Sequence, residues 1–317
     1  MKILITPTSF QKPVNAKARE MIEAFADEIV YNPQTRPLTA EEVAELLPGV
    51  DGYIAGLDYI TAEALANAPA SLKVISRYGA GVDRVDLAAA KAKGIVVTNT
   101  PGTNSTAVCE LAFGLMLSLA RHIPQMDGAV KNGEWPRANG VELCGKTLGI
   151  VGMGAIGKKL ATRAIAFGMD VIAYDPYFDT AFAAEHGIRQ MALDDLIAQT
   201  NVISLHVPLT EQTRHMIGIE QIARMKNGAF VINTARGGLV DEAAAAEAIK
   251  SGKLGGIGLD AFEVEPPTES PLMGLGNVVL TPHAGAHTDE AVAGMGLMAV
   301  QNLIDVLQGK ECRCVIK

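Results

Sequence analysis

The chain is short of positive charge: 27 Lys and Arg residues stand against 35 Asp and Glu, a formal net charge of −8. A field of that sign repels nucleic acid and anionic membranes, so neither is expected as a partner. Also missing is any uninterrupted apolar run of about eighteen residues, so no bilayer-spanning segment is expected. The nearest approach, "STAVCELAFGLMLSLA" at 105–120, is broken by Glu110 and reads as a buried helix. The opening "MKILITPTSF" has too short an apolar run for a signal-peptide core and reads as a first strand. Aromatics are scarce, and the one tryptophan, Trp135, sits in the polar stretch "KNGEWPR". The four cysteines follow no disulfide or zinc spacing. Cys109 and Cys144 lie among apolar residues like small core side chains. Cys312 and Cys314 form a terminal C-x-C with no histidine or second pair nearby, where metal ligation is the minor alternative to a plain tail. No metal is expected, and the thiols fit the reducing cytoplasm.

What is present is apolar residue in quantity, 49% of 317 residues, enough for two cores of ordinary size. Short β-like runs ("KILIT", "DEIVY", "GYIAG", "KVISRYG", "IVVTN") alternate with Ala/Glu/Leu-rich helical segments as far as residue 99. A second set runs from "KTLGIVGMG" through "DVIAYD", "NVISLHV", "GAFVINTA" and "LGGIGLDAF" to "NVVLTPHAG". Strands separated by helix-length spacers predict parallel βαβ units, hence an α/β protein with two doubly wound, Rossmann-like domains. A last helical stretch at 287–308 can return the chain to the first domain. The expected division is 1–99 plus 289–317 for one domain and 100–288 for the other.

"LGIVGMGAIGKKLATR" places Gly152, Gly154 and Gly157 in G-x-G-x-x-G spacing, between a strand and a helix. The first glycine permits a tight turn, the second lets backbone approach a pyrophosphate, and the third lets helix pack on strand. Ala155 and Ile156 then open a helix whose free N–H groups face the phosphates. Such motifs want an acid about 20 residues on, and Asp175 closes the next strand. It can accept hydrogen bonds from ribose hydroxyls and would repel a 2′-phosphate. No lysine or arginine lies between Tyr174 and Phe182 to reward one. The expected cofactor is therefore NAD.

Three polar residues end later apolar runs: Arg236 in "NTARGGLVDE", Glu265 in "GLDAFEVEPP" and His283 in "TPHAG". In a parallel sheet, ligands bind beyond the carboxyl ends of the strands, where such residues converge. A histidine can give a proton to a carbonyl oxygen as hydride arrives, and take it back in reverse. A glutamate against the imidazole favours its protonated form. An arginine fork can hold a substrate carboxylate. Gly237 and Gly238 keep side chains out of the space beside it. Singly, each residue has a plain alternative: a turn histidine, a loop glutamate, an Arg236–Asp241 pair at a helix start. His206, with Val207 and Pro208 in "HVPLT", ends another strand and is expected to line the cofactor.

These segments resemble the signatures of the D-isomer-specific 2-hydroxyacid dehydrogenases, most closely the D-3-phosphoglycerate dehydrogenase branch. The likeness runs nearly end to end, including "SRYGAGVDRVDLAAAKAKGIVVTNTPG". It implies an active site in a cleft between two domains, and a homodimer built around helix 105–120 and the "EWPR" arm. By that resemblance, Arg236 binds carboxylate, His283 is the acid/base and Glu265 its partner. Asp260 holds the nicotinamide amide, while Thr234, Ala235 and Gly285 border the cofactor. "RYGAGVD" brings Arg77, Gly79, Ala80 and Gly81 to a small anionic substrate. The implied reaction interconverts a D-2-hydroxy acid and its 2-keto acid, with 3-phosphoglycerate and phosphohydroxypyruvate as one candidate pair. Glyoxylate or hydroxypyruvate reduction is the alternative. Glu265 stands where formate dehydrogenases of this superfamily carry glutamine, which disfavours that activity.

Two positions depart from the branch. Ala80 replaces a frequent threonine, removing a hydroxyl, and Arg84 replaces a usual asparagine, adding a charge that faces either a phosphate or solvent. The sequence ends at Lys317, where longer phosphoglycerate dehydrogenases carry regulatory domains, so serine feedback through one is not expected. A rival of another class is an NAD(H)-sensing binding protein, since the same scaffold serves in transcriptional corepressors.

Overall fold

The computed structural model describes residues 1–316. It resolves into two compact units, Met1–Asn104 with the chain from Ala286 onward, and Ser105–Gly285. Lys317, the end of the returning segment, lies outside the described residues.

In the first unit β1 (Lys2–Ile5), α1 (Ala16–Glu23), β2 (Glu28–Tyr31), α2 (Ala40–Leu46), β3 (Gly52–Ala55), α3 (Ala62–Ala66), β4 (Val74–Arg77), α4 (Leu87–Ala92) and β5 (Val96–Thr98) alternate regularly. The strands form one parallel sheet in the order β2-β1-β3-β4-β5, the flavodoxin-like variant of double winding. Helices cover both faces, which is why β3 and β4 are buried at every position. Leu4 packs into the face under α2, α3 and α4, whereas Ile3 and Ile5 pack into the other with α1.

The second unit runs α5 (Ser105–Ala120), α6 (Ile123–Lys131), β6 (Thr147–Val151), α7 (Ala155–Ala166), β7 (Asp170–Tyr174), α8 (Thr180–His186), β8 (Arg189–Gln190), α9 (Leu193–Gln199), β9 (Val202–Leu205), α10 (Ile219–Arg224), β10 (Ala229–Asn233), α11 (Glu242–Lys250), β11 (Leu254–Leu259) and β12 (Val278–Leu280). Its seven parallel strands lie in the order β8-β7-β6-β9-β10-β11-β12. Counted from β6 this is 3-2-1-4-5-6 with one further strand, so the strand order reverses between β6 and β9. Ile150 faces the core under α5 and α7, and its neighbour Val151 faces the core under α9, α10 and α11.

Beyond Gly285 the chain re-enters the first unit as α12 (Asp289–Leu307). By length and composition α12 is apolar enough to cross a bilayer, yet Val292, Met295, Ala299, Val300 and Leu303 pack on the first sheet. Three features differ from the sequence expectation. The two-residue β8 and the short α6 are too brief and too polar to announce themselves. Cys144 is exposed, although its neighbour Leu143 is buried in the core. Cys109 is buried as expected, and its burial pushes the thiol pKa up. No group of three or more possible metal ligands occurs among the described residues.

Candidate active site

The carboxyl edge of the second sheet gathers most of the singled-out residues. At the strand-order reversal Gly152 turns with φ +99°, and a Cβ there would lie 2.7 Å from the His206 carbonyl oxygen. The His206 N–H donates to the Val151 carbonyl at 2.7 Å, so the ends of β6 and β9 are stitched together here. Gly154 caps α7 with no side-chain hydrogen bond, and nothing lies within 4 Å of where its Cβ would be. Ala155 and Ile156 form the first turn. Gly157 packs under them, where a Cβ would come within 2.1 Å of the Gly152 carbonyl oxygen. The result is an open, side-chain-free helix N-terminus suited to a pyrophosphate.

Asp175, just past β7, accepts hydrogen bonds from Met153 N at 2.6 Å and Tyr177 N at 2.7 Å, one on each oxygen. A carboxylate offers about four lone-pair sites, so capacity remains for ribose hydroxyls. His206 pairs its Nε2 with Ser204 Oγ at 2.9 Å, while its Nδ1 is buried without a partner among the described residues. Burial pushes the ring's pKa down to about 4, so it is neutral at ordinary pH. Val207 and the exposed Pro208 continue this rim. Thr234, after β10, is 8% exposed, and its Oγ1 also has no partner among the described residues. Two orphaned polar atoms and a glycine cradle at one sheet edge fit a dinucleotide with its own donors and acceptors.

Asn233, the buried last residue of β10, folds the next loop onto itself. Its Nδ2 donates to the Arg236 carbonyl at 2.7 Å, and its Oδ1 accepts from Ala235 N at 3.0 Å. Arg236 donates from Nη1 to the Ala235 carbonyl at 2.7 Å. Gly237 has a different reason than the expected clearance for ligands: a Cβ would sit 1.8 Å from the Phe262 carbonyl oxygen. The loops of Arg236 and Glu265 therefore touch backbone to backbone. Gly238 takes φ +78°, the left-handed conformation that glycine adopts without strain.

Glu265 and His283 meet: His283 Nδ1 lies 2.8 Å from Glu265 Oε1. With Nδ1 turned to the carboxylate, Nε2 is the nitrogen left for a reacting atom. His283 takes φ +52°, a left-handed position that turns its side chain off the line of β12. Asp260, 1% exposed, holds that turn. Its carboxylate accepts from Thr281 Oγ1 at 2.6 Å, Ala284 N at 2.7 Å and Gly285 N at 2.8 Å. Sequence reasoning singled out Asp260 for the nicotinamide amide; within the protein its carboxylate fastens the segment bearing His283. Gly285 packs tightly here, since a Cβ would lie 3.0 Å from Asp260 Oδ2.

The corresponding edge of the first unit is built differently. Asp58 lies buried where β1 and β3 diverge, accepting from Leu38 N, Gly56 N and the Tyr53 hydroxyl at 2.8, 2.9 and 2.9 Å, and from Thr6 Oγ1. Nothing in the motifs announced this network. Arg77, 7% exposed, spends Nη1 on the carbonyls of Ala55 and Tyr78. Gly79 bonds through its N–H to Thr100 Oγ1 at 2.9 Å and has φ +144°; Ala80 is exposed and Gly81 half-buried. Arg84 stacks 4.6 Å over the Tyr59 ring and donates to the Leu57 carbonyl at 2.8 Å, so it is folded onto its own unit.

Residues 113–285 match the model of the D-isomer specific 2-hydroxyacid dehydrogenase NAD binding domain. A hydroxypyruvate reductase of Thermotoga maritima is 45% identical over 90% of this chain and 96% of its own length. The chain belongs to the D-isomer specific 2-hydroxyacid dehydrogenase family. A D-3-phosphoglycerate dehydrogenase of Methanocaldococcus jannaschii is 42% identical over all of this chain, which spans only 59% of that relative's length. Among solved structures, a D-lactate dehydrogenase of Aquifex aeolicus, complexed with NAD and lactic acid, matches with a TM-score of 0.85 at 30% identity, covering 97% of this chain and 96% of that one. The family's cofactor is NAD, and the cradle from Gly152 to Asp175 has the form such a cofactor needs.

Proposed function

We propose that the protein is an NAD-dependent oxidoreductase that interconverts a small D-2-hydroxy acid and its 2-keto acid. The observation that carries this reading is the His283–Glu265 contact of 2.8 Å on the same sheet edge as the dinucleotide cradle. NADH, when bound, supplies a hydride to the substrate's carbonyl carbon. Gly152, Gly154, Ala155, Ile156 and Gly157 would hold the pyrophosphate and Asp175 the ribose. His206, Val207, Pro208, Thr234, Ala235, Asp260 and Gly285 would border the rest. His283 Nε2 gives its proton to the carbonyl oxygen as negative charge develops there. Glu265 steadies the imidazolium beforehand and keeps Nδ1 protonated afterwards. Arg236 holds the substrate carboxylate, and each charged hydrogen bond there contributes roughly 1.5–3 kcal/mol. In the oxidative direction the same imidazole accepts the proton.

Of the candidate acids, unphosphorylated ones such as hydroxypyruvate and glyoxylate are favoured over phosphohydroxypyruvate. Arg77 and Arg84 are the cations expected to meet a phosphate, and each is drawn onto its own unit, Arg77 donating to the Ala55 carbonyl at the end of β3 and Arg84 to the Leu57 carbonyl just beyond it. Arg77, Gly79, Ala80 and Gly81 then act as a shaped wall for the substrate. Steady-state oxidation of NADH with hydroxypyruvate, glyoxylate, pyruvate and phosphohydroxypyruvate tests both statements. Absence of turnover with every acid defeats the enzyme reading and favours a nucleotide-sensing protein. A higher kcat/KM for phosphohydroxypyruvate defeats the substrate preference alone.

We also place the protein in the cytoplasm as a homodimer. Four free cysteines support the compartment. The dimer is supported by apolar side chains left in solvent on α6 and the arm after it: Ile123 and Val130 at 49%, Trp135 at 76% and Val141 at 46% exposed. Sedimentation of the purified chain at the monomer mass overturns it.

A further inference from the structure

We propose that Glu242 is a positioning residue for the Glu265–His283 pair, setting its spacing from Arg236. The proposal rests on the reading above. Glu242 opens α11, directly after the Arg236 loop, and its two carboxylate oxygens reach across to a different loop. Oε1 accepts from Glu263 N at 3.0 Å, and Oε2 accepts from the Ser270 hydroxyl. These partners bracket Glu265 on either side, so one carboxylate clamps both ends of the segment that carries it.

That segment needs an external clamp. Residues 261–271 form neither helix nor strand, and Pro266, Pro267 and Pro271 have no N–H to donate. Its internal ties include Thr268 N to the Pro266 carbonyl at 3.0 Å, Ser270 N to the Pro267 carbonyl at 3.1 Å and a long bond of 3.4 Å from Phe262 N to Glu265 Oε1. Two neighbours reinforce the hold at the same point. His215 Nε2 pairs with Glu263 Oε1 at 2.8 Å, and His215 N donates to the Gly238 carbonyl at 2.7 Å. The Gly237 backbone lies directly against Phe262 and Glu263. Glu242, His215 and Gly237 therefore fasten the Arg236 loop to the Glu265 loop, with Glu242 alone reaching both ends. An acid at this helix position also suits the helix dipole, but that role calls for neither loop contact.

The test is a double-mutant cycle on the full chain with NADH and the best 2-keto acid. E242A is expected to lower kcat about tenfold and leave the NADH dissociation constant within about twofold, whereas E242Q, which keeps the Oε1 acceptor, retains most activity. In an E265Q background, adding E242A is expected to cost less than about twofold further, because its effect runs through Glu265. S270A, which removes one clamp contact without touching α11, is expected to give a smaller loss with the same non-additivity and serves if E242A does not fold. Near-native kcat in both E242A and S270A, multiplicative losses in the E265Q background, or NADH binding that falls in step with kcat each overturns the proposal. If the wild-type chain turns over no 2-keto acid, the functional reading fails and takes this one with it. Turnover in the wild type with no effect of E242A or S270A sinks the positioning role alone.

Discussion

Asp175 shows how much one carboxylate can decide. It braces the glycine turn through Met153 N and the following loop through Tyr177 N, yet keeps acceptor capacity. In the function proposed above, negative charge at that point would exclude a 2′-phosphate as well as welcome a ribose diol. Asp175→Ala should therefore weaken NADH binding and narrow the preference over NADPH by about tenfold or more, one charge-assisted contact's worth. Fluorescence titration with both nucleotides checks this, and an unchanged NADH/NADPH ratio contradicts it. At this scale the candidate site was largely legible, because Arg236, Glu265 and His283 each follow a strand and so fall on one sheet edge. The clamps were not legible. Asp260 fastens the His283 turn and Asp58 fills the first unit's strand divergence through contacts between residues far apart in sequence, which no local pattern encodes.

The elements were read well where their pattern is strong. Buried parallel strands give largely apolar runs, and β1, β3 and β6 stand out for that reason, while β4 and β9 are legible despite the buried Ser76, Arg77 and Ser204 they carry. The polar, two-residue β8 and α6, which has no buried residue, have no such signal. Between elements the telling case is Gly237, which the sequence suggests as a gap for ligands and the structure uses as a backbone contact between two loops. Gly237→Ala should then destabilise the fold by about 1–3 kcal/mol, the usual cost of overpacking, and lower kcat by parting Arg236 from Glu265. Thermal melting and steady-state kinetics check this together. A variant with native melting temperature and native kcat contradicts the contact.

Across the whole molecule, two doubly wound sheets carry the candidate site residues at carboxyl edges, and stability carries a pH signature from one of those edges. His206 is held near pKa 4 against an ordinary value near 6.5, because burial disfavours its charged form. The unfolded chain binds the proton first, so this contribution is complete above pH 6.5 and is lost as the pH falls toward 4, by at most about 3 kcal/mol. Urea unfolding at pH 7.5 and pH 5 should show that loss, and His206→Gln should flatten the slope; equal slopes in the two proteins contradict the assignment. The most direct test of the chemistry itself is His283→Ala, assayed for NADH oxidation by the best 2-keto acid and for NADH affinity by fluorescence. The account predicts kcat lower by about 100-fold or more with the NADH dissociation constant nearly unchanged. Native kcat in that variant would contradict it.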